Sequence, residues 1–143
     1  MAEIEINIPA TRSGLVTVLA RIEEFAAARN LCANEVARVR VVVEELITNT
    51  IKYGYRGECD RPIRLRLSAG RVLTLIYEDQ APPFDPTLGR PEEDPVAKRL
   101  QGREGHAGIG LILGLSSTAA YEARPECNRL TLTFASSGGA DRT

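Results

Sequence analysis

A single α/β domain is what the sequence predicts, and three observations predict it. Glu3 to Ile8 alternates, with Ile4, Ile6 and Ile8 on one face, as a half-buried strand does. Two stretches of helical period follow, carrying Leu15, Val18, Leu19, Ile22 and Phe25 and then the run VVVEELITNT. Ile63, Leu65 and Leu67 alternate with Arg64, Arg66 and Ser68, and a more apolar strand returns after Ala69-Gly70.

Taken in order, Pro9 ends the first strand, and Thr11 or Ser13 caps a helix running to about Arg29. Asn34 is positioned to cap a second helix from Glu35 to about Tyr53, with Gly54 as its stop. Val72, Leu73, Leu75, Ile76 and Tyr77 close an antiparallel hairpin with the strand around Leu65. From Gln80 to Glu104 regular pattern gives way to a proline-bearing connection (Pro82, Pro83, Pro86, Pro91, Pro95). A connection that long in a compact domain is either functional or disordered. It leads into GHAGIGLILGL, an apolar helix with a glycine-rich entry, and strands around 118–123 and 129–134 follow. One domain over residues 1 to 134 with a C-terminal tail over 135–143 accounts for the chain.

At 143 residues the chain is long enough to bury a core without staples. A net charge of −1, from 18 basic and 19 acidic residues, leaves no basic stripe and argues against a nucleic-acid partner. No apolar run approaches the roughly 20 residues that span a bilayer, and MAEIEINIPA is unlike a signal peptide. Cys32, Cys59 and Cys127 fit no metal or disulfide spacing and read as small buried or incidental thiols of a reducing compartment. The expected location is the cytoplasm.

Three segments carry chemistry. Glu45 and Asn49 stand four apart and so share a helix face. The asparagine oxygen suits a magnesium ion that already holds phosphate, and Glu45 is placed to deprotonate a nucleophile. The alternative is a solvated face on which Glu45 pairs with Asn49 or Thr48. Asp79 follows a buried strand, where a carboxylate accepts a hydrogen bond from an exocyclic amine such as that of adenine; otherwise it opens a turn before prolines. Phe84 can anchor the loop beyond it. Gly105, Gly108 and Gly110 open a helix, where backbone N–H groups approach phosphate closely. No GK[ST] follows, which excludes a P-loop.

The order of these segments resembles that of the GHKL ATPases, and within them the stand-alone anti-sigma factor serine/threonine kinases. EELITNTIKYGY is similar to their N box, DQAPPFDP to their first glycine box, GHAGIGLILGL to their second, and NRLTLT to their final strand. The resemblance implies a Bergerat fold, a mixed and mostly antiparallel sheet packed against helices, with ATP between helix and lid. It assigns Mg²⁺ ligation to Asn49, general base to Glu45 and the adenine contact to Asp79. Ala81, Phe84, Gly105, Gly108, Ile109 and Gly110 would line the nucleotide, with residues 86–104 as lid. Lys52 or Tyr53 falls where the family keeps a basic or histidine residue. His106 faces either a phosphate or solvent. The family's first box usually reads D-x-G, and here Ala81 replaces the glycine, adding a methyl group where a base would approach or a positive φ would be needed.

The function this implies is a regulatory protein serine/threonine kinase that uses ATP and Mg²⁺. Its expected partners are a sigma factor and an antagonist protein bearing the target serine, with a homodimer as one assembly. The alternative is a nucleotide-dependent protein-binding module without significant kinase activity. A detached catalytic domain of a histidine kinase fits less well, because the single histidine, His106, lies in the glycine segment.

Overall fold

The computed structural model describes residues 2–83 and 110–135. The expected lid over 86–104, Phe84, the glycine-box residues Gly105, His106, Gly108 and Ile109, and the tail beyond residue 135 lie outside the described residues.

Strand β1 (Ala2–Ala10) passes through Pro9 rather than ending there. It is an edge strand, paired with β2 alone, and the register shifts between Pro9 and Ala10. Proline is tolerated at such a position because the N–H it lacks has no ladder partner to lose. Helix α1 (Arg12–Arg29) is capped by Thr11, whose hydroxyl accepts from the Gly14 N–H at 3.0 Å. It ends at Asn30, in the left-handed region at φ 53°.

Helix α2 (Ala33–Asn49) begins two residues earlier than its sequence pattern indicates. Cys32, not Asn34, is the capping residue, and no side chain caps the first turn. Val36, Val39, Val42, Val43, Leu46 and Ile47 bury one stripe, and Glu35 is enclosed in the first turn, where the helix dipole favours a carboxylate. The chain does not stop at Gly54 as an α-helix. It widens into a π-helical turn (Thr50–Gly54), closed by the Tyr55 N–H donating to the Thr50 carbonyl at 2.7 Å. The reversal comes just beyond, at Arg56 (φ 60°) and Gly57 (φ 137°).

Strands β2 (Cys59–Ala69) and β3 (Leu73–Asp79) form the expected hairpin, with Val72 in the connection rather than in the strand. Residues 110–115 are helical, and β4 (Thr118–Ala123) and β5 (Asn128–Phe134) follow. The five strands lie in the order β1-β2-β3-β5-β4, and all four pairings are antiparallel.

One face of this sheet packs on the helices. Ile6, Ile8, Ile63, Leu65, Leu67, Leu73, Leu75, Leu130, Leu132 and Phe134 meet Val18, Ile22 and Phe25 of α1 and the α2 stripe. Each such side chain contributes about 1.5–3 kcal/mol on burial. The opposite face carries a charged row across the strands. Arg64 and Arg129 flank Glu78, with Arg129 Nε 2.6 Å and Arg64 Nη1 3.6 Å from its carboxylate. Among the cysteines, Cys32 is exposed and Cys59 and Cys127 are half-buried, so none is a core residue. No helix among the described residues is long and apolar enough to cross a membrane.

Candidate functional site

The end of the sheet beside the last turn of α2 gathers Thr50, Tyr77, Asp79 and Asn128 on the helix-facing side. Strand parity explains why. Asp79 continues the inward series Leu73, Leu75, Tyr77, and Asn128 begins the inward series Leu130, Leu132, Phe134. The two stand directly opposite each other in the β3–β5 ladder. Here the core face turns from apolar to polar.

Asp79 is half-buried and held from two sides. Thr50 Oγ1 donates to its Oδ2 at 2.7 Å. Asn128 Nδ2 donates to its Oδ1 at 2.9 Å, and the Ala81 N–H reaches the same oxygen at 3.2 Å. A carboxylate only accepts, so the single Thr50 proton points at Asp79. The 2.6 Å contact between Thr50 Oγ1 and Tyr77 Oη therefore has Tyr77 as donor, and the same phenol lies 3.2 Å from the Leu46 carbonyl. Burial, and next the charge of Asp79, push the Tyr77 phenol well above its ordinary 10.0, so it stays a donor. The Asn128 amide is likewise fixed in orientation. Its Nδ2 also donates to the Ala81 carbonyl at 2.8 Å, while its Oδ1 accepts from Tyr121 Oη at 2.5 Å.

Gln80, between them, is clamped through its backbone. Its N–H donates to Tyr55 Oη at 2.8 Å, and its carbonyl accepts from Arg61 Nη2 at 2.7 Å. The Arg61 guanidinium lies over the Tyr55 ring, 4.5 Å from its centroid. Residues 79–81 thus form a corner fixed by side chains from β2, β5 and the π-helical turn. Of the four lone-pair directions of the Asp79 carboxylate, donors among the described residues fill three. The fourth has no donor among the described residues.

Glu45 and Asn49 occupy successive turns of α2, both half-buried, whereas Glu44 is exposed. The pairing of Glu45 with Asn49 or Thr48 that a solvated face would show is not formed. Asn49 directly precedes Thr50, so its helix end adjoins the Asp79 corner. Lys52 and Tyr53 are exposed on the π-helical turn, Tyr53 at 45%. Gly110 is exposed at the start of the helix over 110–115, where a Cβ would meet nothing within 4 Å, and Ile112 anchors that helix in the core. Ala81 is not in the left-handed region, which among the described non-glycine residues holds only Asn30 and Arg56. The methyl group therefore imposes no backbone strain.

Sequence reasoning picked out Asp79 and missed Thr50, Tyr77, Asn128, Tyr55 and Arg61. Thr50 did leave a signal: it is a polar residue that continues the apolar series Val43, Leu46, Ile47. No group of three or more His, Cys, Asp or Glu side chains converges among the described residues. A dedicated metal cage is thus missing from that part of the chain. A single neutral oxygen ligand such as Asn49 suits a cation carried in by phosphate.

Residues 8–134 match the family described as the histidine kinase-like ATPase domain. No curated protein gave a significant match. Among solved structures, the RsbU and RsbW domains of Rv1364c from Mycobacterium tuberculosis align with a TM-score of 0.64 at 17% identity. That alignment covers 94% of this chain and 32% of the other, so this chain spans about a third of that protein's length. The SiaB–SiaC complex from Pseudomonas aeruginosa aligns with a TM-score of 0.60 at 15% identity, covering 92% of this chain and 88% of the other. At such identities the likeness establishes a shared fold. The match over 8–134 establishes more: this chain belongs to the histidine kinase-like ATPase domain family.

Proposed function

We propose that the protein is an ATP-binding regulatory factor that transfers phosphate to a serine or threonine of a partner protein, in a partner-switching system of anti-sigma type. The observation that carries this reading is the Asp79 corner, a fixed carboxylate with one acceptor direction left for an amine. Adenine presents such a donor at its exocyclic nitrogen. Asn49 would hold Mg²⁺ through its amide oxygen, and the ion would neutralise phosphate charge when bound. Glu45, half-buried one turn earlier, would accept the proton of the attacking hydroxyl. Lys52, Tyr53 and Gly110 stand on the two helical segments that would border the phosphates, and Phe84, Gly105, His106, Gly108 and Ile109 would complete that border.

The structural neighbours support a protein partner for this chain, since one of them was solved as the SiaB–SiaC complex and another includes an RsbW domain. A sigma factor and an antagonist protein are the partners proposed here, a homodimer the proposed assembly and the cytoplasm the proposed site of action.

The test is transfer of thiophosphate from ATPγS, with Mg²⁺, to proteins of a cell extract, followed by mapping of modified side chains. The expected result is labelled serine or threonine on one protein with the wild type and none with Glu45→Gln. Binding of ATP without any labelled protein would replace this reading with that of a nucleotide-dependent binding module.

A further inference from the structure

Gly54 and Ala81 lie far apart in sequence and touch in space. A Cβ built on Gly54 would stand 2.7 Å from the Ala81 Cβ, closer than two carbons approach, and 3.7 Å from Thr50 Cγ2. Gly54 is not needed for its backbone conformation, because Gly57 is the glycine with positive φ among the described residues. It is needed for space. The space is filled by the one methyl group that distinguishes residue 81 from glycine.

We propose that Gly54 is a positioning residue of the nucleotide corner: it leaves the notch in which the Ala81 methyl lodges, and so holds residues 79–81 where Asp79 presents its last acceptor. This deepens the nucleotide reading and rests on it. A Cβ is fixed to its backbone and cannot rotate away. A methyl on Gly54 therefore moves either the π-helical turn or the corner. The turn carries Thr50, which donates to Asp79. The corner is pinned by Arg61 and Tyr55 on Gln80, and by Asn128 on the Ala81 carbonyl. Either displacement separates donors from acceptors at the carboxylate. The pair is also reciprocal: glycine at 81 empties the place that alanine at 54 would take, so exchanging the two residues restores the contact.

Four proteins test this: wild type, Gly54→Ala, Ala81→Gly and the double exchange, each titrated calorimetrically with MgATP and melted without ligand. The proposal expects Gly54→Ala to lose at least about tenfold in affinity for MgATP, and takes Ala81→Gly as the reference for the exchange. It expects the double exchange to return to within about threefold of that reference, a coupling that separate sites do not give. The melting midpoint should fall for Gly54→Ala and recover in the exchange. Binding by Gly54→Ala equal to wild type would overturn the proposal, as would an exchange that fails to recover either quantity. If the wild type binds no MgATP, the nucleotide reading fails and takes the positioning role with it. The midpoints alone then decide whether the two residues form a packed pair.

Discussion

Asn128 Nδ2 bridges Asp79 Oδ1 and the Ala81 carbonyl, at 2.9 and 2.8 Å, from the position directly opposite Asp79 in the β3–β5 ladder. One amide thus ties the proposed adenine acceptor to the chain that leaves it. Because Tyr121 donates to Asn128 Oδ1, the amide cannot turn over without losing three bonds.

Asn128→Asp replaces that donor with an acceptor and sets two carboxylates side by side. Like charges at such separation raise the pKa of the pair. We expect the variant to be less stable than wild type by about 2 kcal/mol at pH 8. The folded-state pKa of the pair is raised above its unfolded value, so the deficit grows as pH rises through it and narrows at low pH. Urea denaturation at pH 8 and pH 4 checks this, and a deficit equal at both would count against the assigned amide orientation.

Thr50→Val keeps the shape and removes the hydroxyl that Asp79 accepts and Tyr77 donates to. A hydrogen bond to a charged group is worth about 1.5–3 kcal/mol. The expected result is a loss of ATP affinity of about tenfold or more with the fold retained, read by titration beside a circular dichroism melt.

The Tyr77 phenol supplies a pH dependence. Its pKa in the folded protein is raised well above 10.0, first by burial and then by the Asp79 charge. The folded state therefore keeps a proton that the unfolded chain releases above pH 10, and stability falls as pH rises beyond that value. Tyr55, raised mainly by burial, adds a smaller contribution of the same sign. Tyr77→Phe should flatten the alkaline limb of a stability–pH profile between about pH 9 and 11, on the order of one unit either side of the unfolded value. An unchanged slope would remove Tyr77 as its source.

Gly14→Ala tests the packing of α1 on the sheet. Alanine gains about 1 kcal/mol in helix propensity. Against that, the new Cβ would stand 2.5 Å from the Pro9 carbonyl oxygen and 3.2 Å from two Ile8 side-chain carbons. Backbone cannot yield as a side chain can, and overpacking costs about 1–3 kcal/mol. The variant should therefore melt lower than wild type, and an unchanged or higher midpoint would show that the helix rides further from β1.

Particular elements show how far the sequence reading reached. The period-2 and period-3.6 patterns located β1, α1, α2 and the β2–β3 hairpin because each element buries one face, and burial writes a period into the chain. The helical run does end at Gly54, as the sequence indicates, but neither the π-helical form of its last turn nor the closeness of Gly54 to Ala81 was legible. A contact across 27 positions leaves no local trace. Asp79 was legible as a carboxylate closing an apolar strand. Asn128 was not, because its role follows from the β3–β5 register, and Thr50 left only its place in the apolar series, since its bond to Asp79 follows from the π-helical turn. The charged row of Arg64, Glu78 and Arg129 likewise emerges only when the strands are aligned.

The account stands or falls on Asp79 as the acceptor for adenine. The most direct measurement is calorimetric titration of ATP and ADP, with and without Mg²⁺, into wild type and Asp79→Asn. The substitution puts an amide donor where the exocyclic amine of adenine donates, and also opposite Thr50 and Asn128. The account predicts magnesium-dependent binding of ATP by wild type, weakened at least about a hundredfold (~2.7 kcal/mol) by Asp79→Asn. Equal binding by the two proteins, or no binding by folded wild type, would contradict it.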